Sequence, residues 1–195
     1  MKKITSLLVA LLMILSSVCV AGAFSDIDSV TISWAGEAIE KLTESGVING
    51  YEDGTFRPEN NVTRAEFAKM VSVAFDLAKS EEEYDDISLH WARDYILSAG
   101  SSMYTDGANF EPDKPASRAD IAYCAASVLK LESAGEDLIK KYPDGKEVVA
   151  QMADMVFAAA ENKIIIGYED GTIRPNNPVT RAEAAVIICR AFNLK

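Results

Sequence analysis

Thr63-Arg64-Ala65-Glu66 decides how this chain is read, because the sequence writes it again as Ser117-Arg118-Ala119-Asp120 and as Thr180-Arg181-Ala182-Glu183. Each copy opens an apolar run with helical spacing. A Ser or Thr followed three residues later by an acid is a capping box. The hydroxyl accepts from the backbone N–H of the third helical residue, and the acid accepts from the N–H of the cap. Apolar residues before the cap and at the fourth helical position extend the box into a hydrophobic staple. They pair Val62 with Phe67, Ala116 with Ile121 and Val179 with Ala184. Three helices starting at the arginines are expected, each cap worth about 1 kcal/mol.

The arginine needs a reason of its own. A cation in the first turn faces the positive end of the helix dipole, a cost of roughly 0.3–1 kcal/mol. Arg64, Arg118 and Arg181 all stand there. One reading is an ion pair with a local carboxylate. The other is a planar fork presented to an anionic ligand at a helix N-terminus.

Working outward, a loop precedes each copy. The first runs Val47-Ile48-Asn49-Gly50-Tyr51-Glu52-Asp53-Gly54-Thr55-Phe56-Arg57-Pro58, and the third Ile166-Gly167-Tyr168-Glu169-Asp170-Gly171-Thr172-Ile173-Arg174-Pro175. Asp-Gly is a tight-turn pair. Before the first loop, Trp34, Ala38, Ile39 and Leu42 recur at helical spacing, and Gly46 is placed to end that helix. Trp91, Tyr95 and Ile96 mirror that helix in the second unit, which is shorter by about one helical turn. There Met103 takes the place of Gly50, and Glu111 that of Arg57. In the third unit the first helix is expected over Val148 to Asn162, with Gln151 where tryptophan stands elsewhere. The first motif helix is expected to run to about Lys79. Glu81-Glu82-Glu83 and the stretch from Ser133 to Lys141 read as linkers. The resulting organisation is a unit over 24–80, a degenerate unit over 84–132 and a third over 142–195.

The chain has 195 residues, 49% of them hydrophobic, enough for one compact domain or a small repeat array. Lys2 and Lys3, the apolar run from Ile4 to Val20, and Ala21-Gly22-Ala23 read as a secretory signal peptide over 1–23, with the mature chain starting at Phe24. Nothing after it is long and apolar enough to span a bilayer. The net charge is −11, and removing the signal peptide makes it more negative. Such a surface repels nucleic acid and anionic lipid, so an anionic ligand must be held by a few placed arginines. Cys124 and Cys189 are expected as two buried thiols. His90 has no Cys or His at ligand spacing and is expected at the surface. Glu52-Asp53-Gly54 and Glu169-Asp170-Gly171 lack the alternating acids and distal glutamate of a calcium loop. No metal and no cofactor are expected. There is no phosphate-cradling glycine loop, Ser-His-Asp set or HExxH, and with 30 acidic residues carboxylate pairs carry no information about glycosidase chemistry. Trp34 and Trp91 have two readings, as core residues at apolar helical spacing or as groove residues.

These motifs together resemble the S-layer homology (SLH) family: an aromatic-x-Asp start, a helix with Trp-Ala, Gly-Tyr-x-Asp-Gly-Thr-Phe-x-Pro, then Thr-Arg-Ala-Glu. The resemblance covers nearly everything from Phe24 to Lys195. It implies a mainly α fold of three tandem helix–loop–helix repeats, three-pronged and pseudo-threefold around a central helix bundle. It implies non-catalytic binding of a secondary cell-wall polysaccharide, anionic and pyruvylated, in grooves between repeats, and anchoring at the bacterial cell surface. Carried over by residue, Arg64, Arg118 and Arg181 would hold the acidic group. Trp34 and Trp91 would stack on sugars or line a groove. Asp26 and Asp86 would accept from sugar hydroxyls or from backbone at the repeat start. Gly50 and Gly167 would let backbone approach the sugar. The degenerate second repeat should line the poorest groove, so Arg118 should matter least. The alternatives are a module that assembles with surface-layer proteins and, further off, an enzyme acting on wall glycan.

Overall fold

The computed structural model describes residues 24–133 and 138–194, and the expected signal peptide lies outside them. All three motif helices start at their arginine: α2 (Arg64–Phe75), α4 (Arg118–Val128) and α7 (Arg181–Phe192). Each carries the complete capping box. Thr63 Oγ1 accepts from Glu66 N–H at 3.2 Å while Glu66 Oε2 accepts from Thr63 N–H at 2.8 Å. Ser117 with Asp120 and Thr180 with Glu183 repeat the exchange. The six residues of the expected staples are fully buried.

The remaining helices are α1 (Ser29–Glu44), α3 (Arg93–Ala99), α5 (Leu138–Lys141) and α6 (Ala153–Glu161). Helix α1 is capped by Asp28, whose carboxylate accepts from Thr31 N–H at 2.7 Å, and ends at Ser45 with Gly46 at φ 72° just beyond. Three expectations need correction. Helix α2 stops at Phe75, short of Lys79, because Asp76 turns left-handed at φ 52° and folds the chain back so that Asp76 and Leu77 N–H both reach Ser72 O. Helix α6 starts at Ala153 rather than Val148. Val148 and Val149 are extended, as their stiff branched side chains favour, and a 3-10 turn over Ala150–Met152 intervenes. His90 is not a surface residue: its Nδ1 accepts from Ala92 N–H at 3.1 Å, its Nε2 faces Asp113 at 3.4 Å, and its side chain is 12% exposed. Both cysteines are free thiols; Cys124 is buried and Cys189 half-buried, so that part of the expectation holds in the first and loosens in the second.

Packing follows a cyclic rule. Helices α2, α4 and α7 touch one another. Each also packs against the first helix of the next unit in order: α3 on α2, α6 on α4, and α1 on α7. The last pair joins the third unit to the first and closes the ring. Three isolated antiparallel bridges, Thr63 with Pro115, Ser117 with Pro178 and Asn61 with Thr180, run in the same order just before the motif helices. One fully buried side chain from each loop, Phe56, Phe110 and Ile173, fills the core beneath.

Candidate ligand-binding grooves

The first two backbone N–H groups of each motif helix are already used. Arg64 and Ala65 donate to Lys114 O and Pro112 O, Arg118 and Ala119 to Asn177 O and Pro175 O, and Arg181 and Ala182 to Asn60 O and Pro58 O. With the next N–H taken by the capping hydroxyl, these helix N-termini hold the loop of the next unit, not an anion. That corrects one part of the anion-fork reading of the arginines.

The guanidinium groups follow the same cyclic path. Arg64 Nε donates to Phe110 O at 2.8 Å and Nη2 to Tyr104 O at 2.9 Å. Arg118 reaches Ile173 O at 3.0 Å and Ile166 O at 3.1 Å. Arg181 reaches Phe56 O at 2.8 Å and Asn49 O at 2.9 Å. Each arginine therefore braces the loop that follows its own unit in the ring. Ion pairing is graded across the three. Arg64 Nη1 pairs with Asp120 at 2.9 Å, Arg118 Nη1 stands 3.6 Å from Glu183, and Arg181 has no carboxylate within 4.0 Å among the described residues. Arg64 and Arg118 are 4% and 6% exposed, while Arg181 is half-buried.

Three clefts lie where these arginines meet the loops. One, of about 200 Å³, joins Arg181 to Gly50 and Tyr51 of the first loop, Glu66 and Lys69 of α2, and Trp91 of the second unit. The second, of about 210 Å³, joins Arg118 to Gly167 and Tyr168, to Glu183 and Arg190 of α7, and to Trp34. The third, about 280 Å³, joins Arg64, Tyr104 and Asp120 to Val149 and Met152, and has no tryptophan. Trp34 and Trp91 are 46% and 59% exposed, so the core reading of both is overturned. They rim the grooves instead. The groove without tryptophan belongs to Arg64 and not Arg118, because the arginine of one unit serves the loop of the next.

Two tyrosines missed in the sequence, Tyr51 and Tyr168, line the two tryptophan grooves. The Arg57 guanidinium lies 3.8 Å from the Tyr51 ring centre and that of Arg181 5.0 Å. Arg174 and Arg118 stand 3.8 and 4.9 Å from Tyr168. Such contacts between a cation and a ring face hold the tyrosines in place. Arg57 and Arg174 are themselves tied to Asp53 and Asp170 at 2.9 and 3.0 Å. Bonds from Thr55 and Arg57 hold the Asp53 carboxyl down at about 2, and the same pattern holds Asp170 at about 2. The signal was present in the sequence as a tyrosine recurring before each Asp-Gly turn.

Asp26 takes the backbone role. Its two oxygens accept from Phe56 N–H at 2.7 Å and Arg57 N–H at 2.6 Å. Asp86 does the same for Phe110 and Glu111, and Asp144 for Ile173 and Arg174. Arg57, Glu111 and Arg174 are drawn to φ 57°, 56° and 50°, which aims two consecutive N–H groups at one carboxylate. The glycines also have a local reason. A Cβ on Gly50 would meet Thr55 O at 2.9 Å and the Phe24 ring, and one on Gly167 would meet the Tyr142 ring at 2.8 Å. They seat the aromatic ring that opens each unit. In the second unit that seat is Gly100, against Tyr84, and not the Met103 position.

Among the described residues, no helix is long and apolar enough to cross a membrane. Residues 23–68 and 141–185 match the S-layer homology domain, and the second unit lies between these matches. The chain is 27% identical over 180 residues to the surface-layer 125 kDa protein of Lysinibacillus sphaericus, covering 88% of this chain and 15% of that one. It is 37% identical over 164 residues to the cellulosome-anchoring protein of Acetivibrio thermocellus, covering 74% of this chain and 35% of that protein. It is 29% identical over 173 residues to exoglucanase XynX of the same organism, covering 85% of this chain and 16% of the enzyme. The chain thus spans about a third or less of the length of these relatives.

Proposed function

This chain stands in the S-layer homology family, matched at its first and third units, and from that premise we propose that it is a non-catalytic module that holds its protein at the bacterial cell surface by binding an acidic secondary cell-wall polysaccharide. The acid we assign to the polymer is a pyruvyl carboxylate. The three repeats are 24–80, 84–132 and 142–195, the middle one read as a repeat because its cap, its aspartate lock and its arginine repeat those of the other two. The observation that carries the reading is Arg181: a half-buried guanidinium with no carboxylate partner among the described residues, in one cleft with an exposed tryptophan. A sugar ring can lie on Trp91 while its acid meets the guanidinium. The Trp34 groove with Arg118 is the second site, and the Arg64 groove contributes little. A relative that is an exoglucanase is covered over 16% of its length, which fits an anchoring part joined to chemistry carried elsewhere.

Co-sedimentation with purified cell walls tests this, before and after removal of the non-peptidoglycan polymer. Binding should be present before and lost after. Binding that survives removal of the polymer, or that vanishes when wall proteins are stripped and the polymer is kept, overturns the proposal; the second result would favour assembly with a surface-layer protein.

A further inference from the structure

The same stripe of the motif helix walls both tryptophan grooves: the capping-box acid and the residues three, four and seven places on, which share one face. In α2 Glu66, Lys69 and Met70 line the groove and Val73 follows on the same face just beyond it; in α7 Glu183, Val186, Ile187 and Arg190 all line it. A cation and a valine have changed places. The Trp91 groove has its second cation at the third place, and the Trp34 groove has it at the seventh, about 6 Å further along the helix axis. In α4 the same places hold Tyr123, Cys124 and Ser127, with no cation.

Neither cation is accounted for by the fold. Among the described residues Lys69 and Arg190 have no carboxylate within 4.0 Å, although both are half-buried. Lys69 has only the Tyr95 ring, 5.9 Å from its Nζ. Burial, with repulsion from Arg118 in the same groove added to it, pushes Arg190 below the usual arginine range. Placing a second guanidinium beside the first is unfavourable in the empty groove and favourable once an anion sits between them.

We infer that Lys69 and Arg190 are the specificity-determining residues of the two grooves, each holding a second anionic group of the polysaccharide, so that the grooves select acidic groups at two different spacings along the polymer. This rests on the wall-polysaccharide reading. In both grooves the first acid meets Arg181 or Arg118 beside the tryptophan. The second acid meets Lys69 early on the helix in one groove, and Arg190 one turn later in the other.

The test is calorimetric titration with sized fragments of polysaccharide released from purified walls, intact and after chemical reduction of the carboxyl groups. Wild type should show two classes of site. Lys69→Met should weaken one class about tenfold and Arg190→Met the other, with urea midpoints unchanged or raised. Neither substitution should matter for reduced fragments. The double exchange Lys69→Val with Val73→Arg should give the Trp91 groove the fragment preference of the Trp34 groove. If wild type binds no fragment, the polysaccharide reading fails and takes this inference with it. If wild type binds and both methionine variants stay within about twofold of it, or both lose affinity equally for every fragment, the inference alone is overturned.

Discussion

Nη1 of Arg64 lies 2.9 Å from Oδ1 of Asp120, so the arginine that opens one motif helix is neutralised by the capping-box acid of the next. Side chains on both sides of the pair are largely out of solvent, at 5% and 14% exposure. Asp120 meanwhile caps its own helix through Ser117 N–H and Oγ. One carboxylate thus fastens a helix start and the joint between the first and second units. The matching contact loosens at Arg118 and is absent at Arg181, which grades the three arginines from structural to available.

Arg64→Ala should destabilise the protein by about 3–5 kcal/mol, since it takes the ion-pair partner from the half-buried Asp120 and the donors from two loop carbonyls. Arg181→Ala removes two hydrogen bonds and no ion pair, and should cost about 1.5–3 kcal/mol. Urea melts of the two variants decide it; equal losses would contradict the grading.

Among variants that remain folded, loss of wall binding should run in the opposite order. Arg181→Ala and Trp91→Ala should each weaken binding about tenfold or more, Arg118→Ala and Trp34→Ala similarly, and Arg64→Ala least. Arg181→Lys should also bind poorly, because a point charge cannot donate to Asn49 O and Phe56 O and still face a carboxylate. Wall co-sedimentation at matched folded fractions reads this order.

Lys163→Gly should stabilise the protein by about 1 kcal/mol. Lys163 sits exposed at φ 59° just after α6, the place that Gly46, at φ 72°, fills after α1. A left-handed residue there ends the helix at least cost when it has no Cβ. A thermal melt that shows no gain would mean the lysine side chain compensates.

Asp26→Asn should cost about 1–3 kcal/mol. Its amide nitrogen cannot accept, so one of the Phe56 and Arg57 N–H groups loses its partner while Arg57 stays at positive φ. Hydrogen exchange should quicken at both amides.

Acid should leave the two Asp-Gly turns ordered longer than ordinary aspartates would allow. Asp53 and Asp170 are lowered from 3.8 to about 2 in the folded chain. A depressed folded value means that their contribution is complete above the unfolded value and is lost as pH falls from there through the folded one. The clamps on Tyr51 and Tyr168 should therefore persist at pH 3 and release toward pH 2. Carboxyl chemical shifts followed by NMR titration would show it, and midpoints near 3.8 would refute it.

The capping boxes, the starts of α2, α4 and α7, and the glycine after α1 were legible in the sequence. Each is a contact between residues a few positions apart, so the local pattern contains both partners. The repeat of the pattern likewise carried the family and the mainly helical fold. The sequence could not say which arginine serves which groove, or that Trp34 and Trp91 face outward. A tryptophan at apolar helical spacing looks the same whether the face it shares is covered by a neighbour or rims a cleft. Its surroundings are set by ring closure, in which α1 docks on α7 and each arginine crosses to the loop of the following unit. The arginine bonds join residues from 40 to 132 positions apart, α1 and α7 are further apart still, and only the packed chain brings them together.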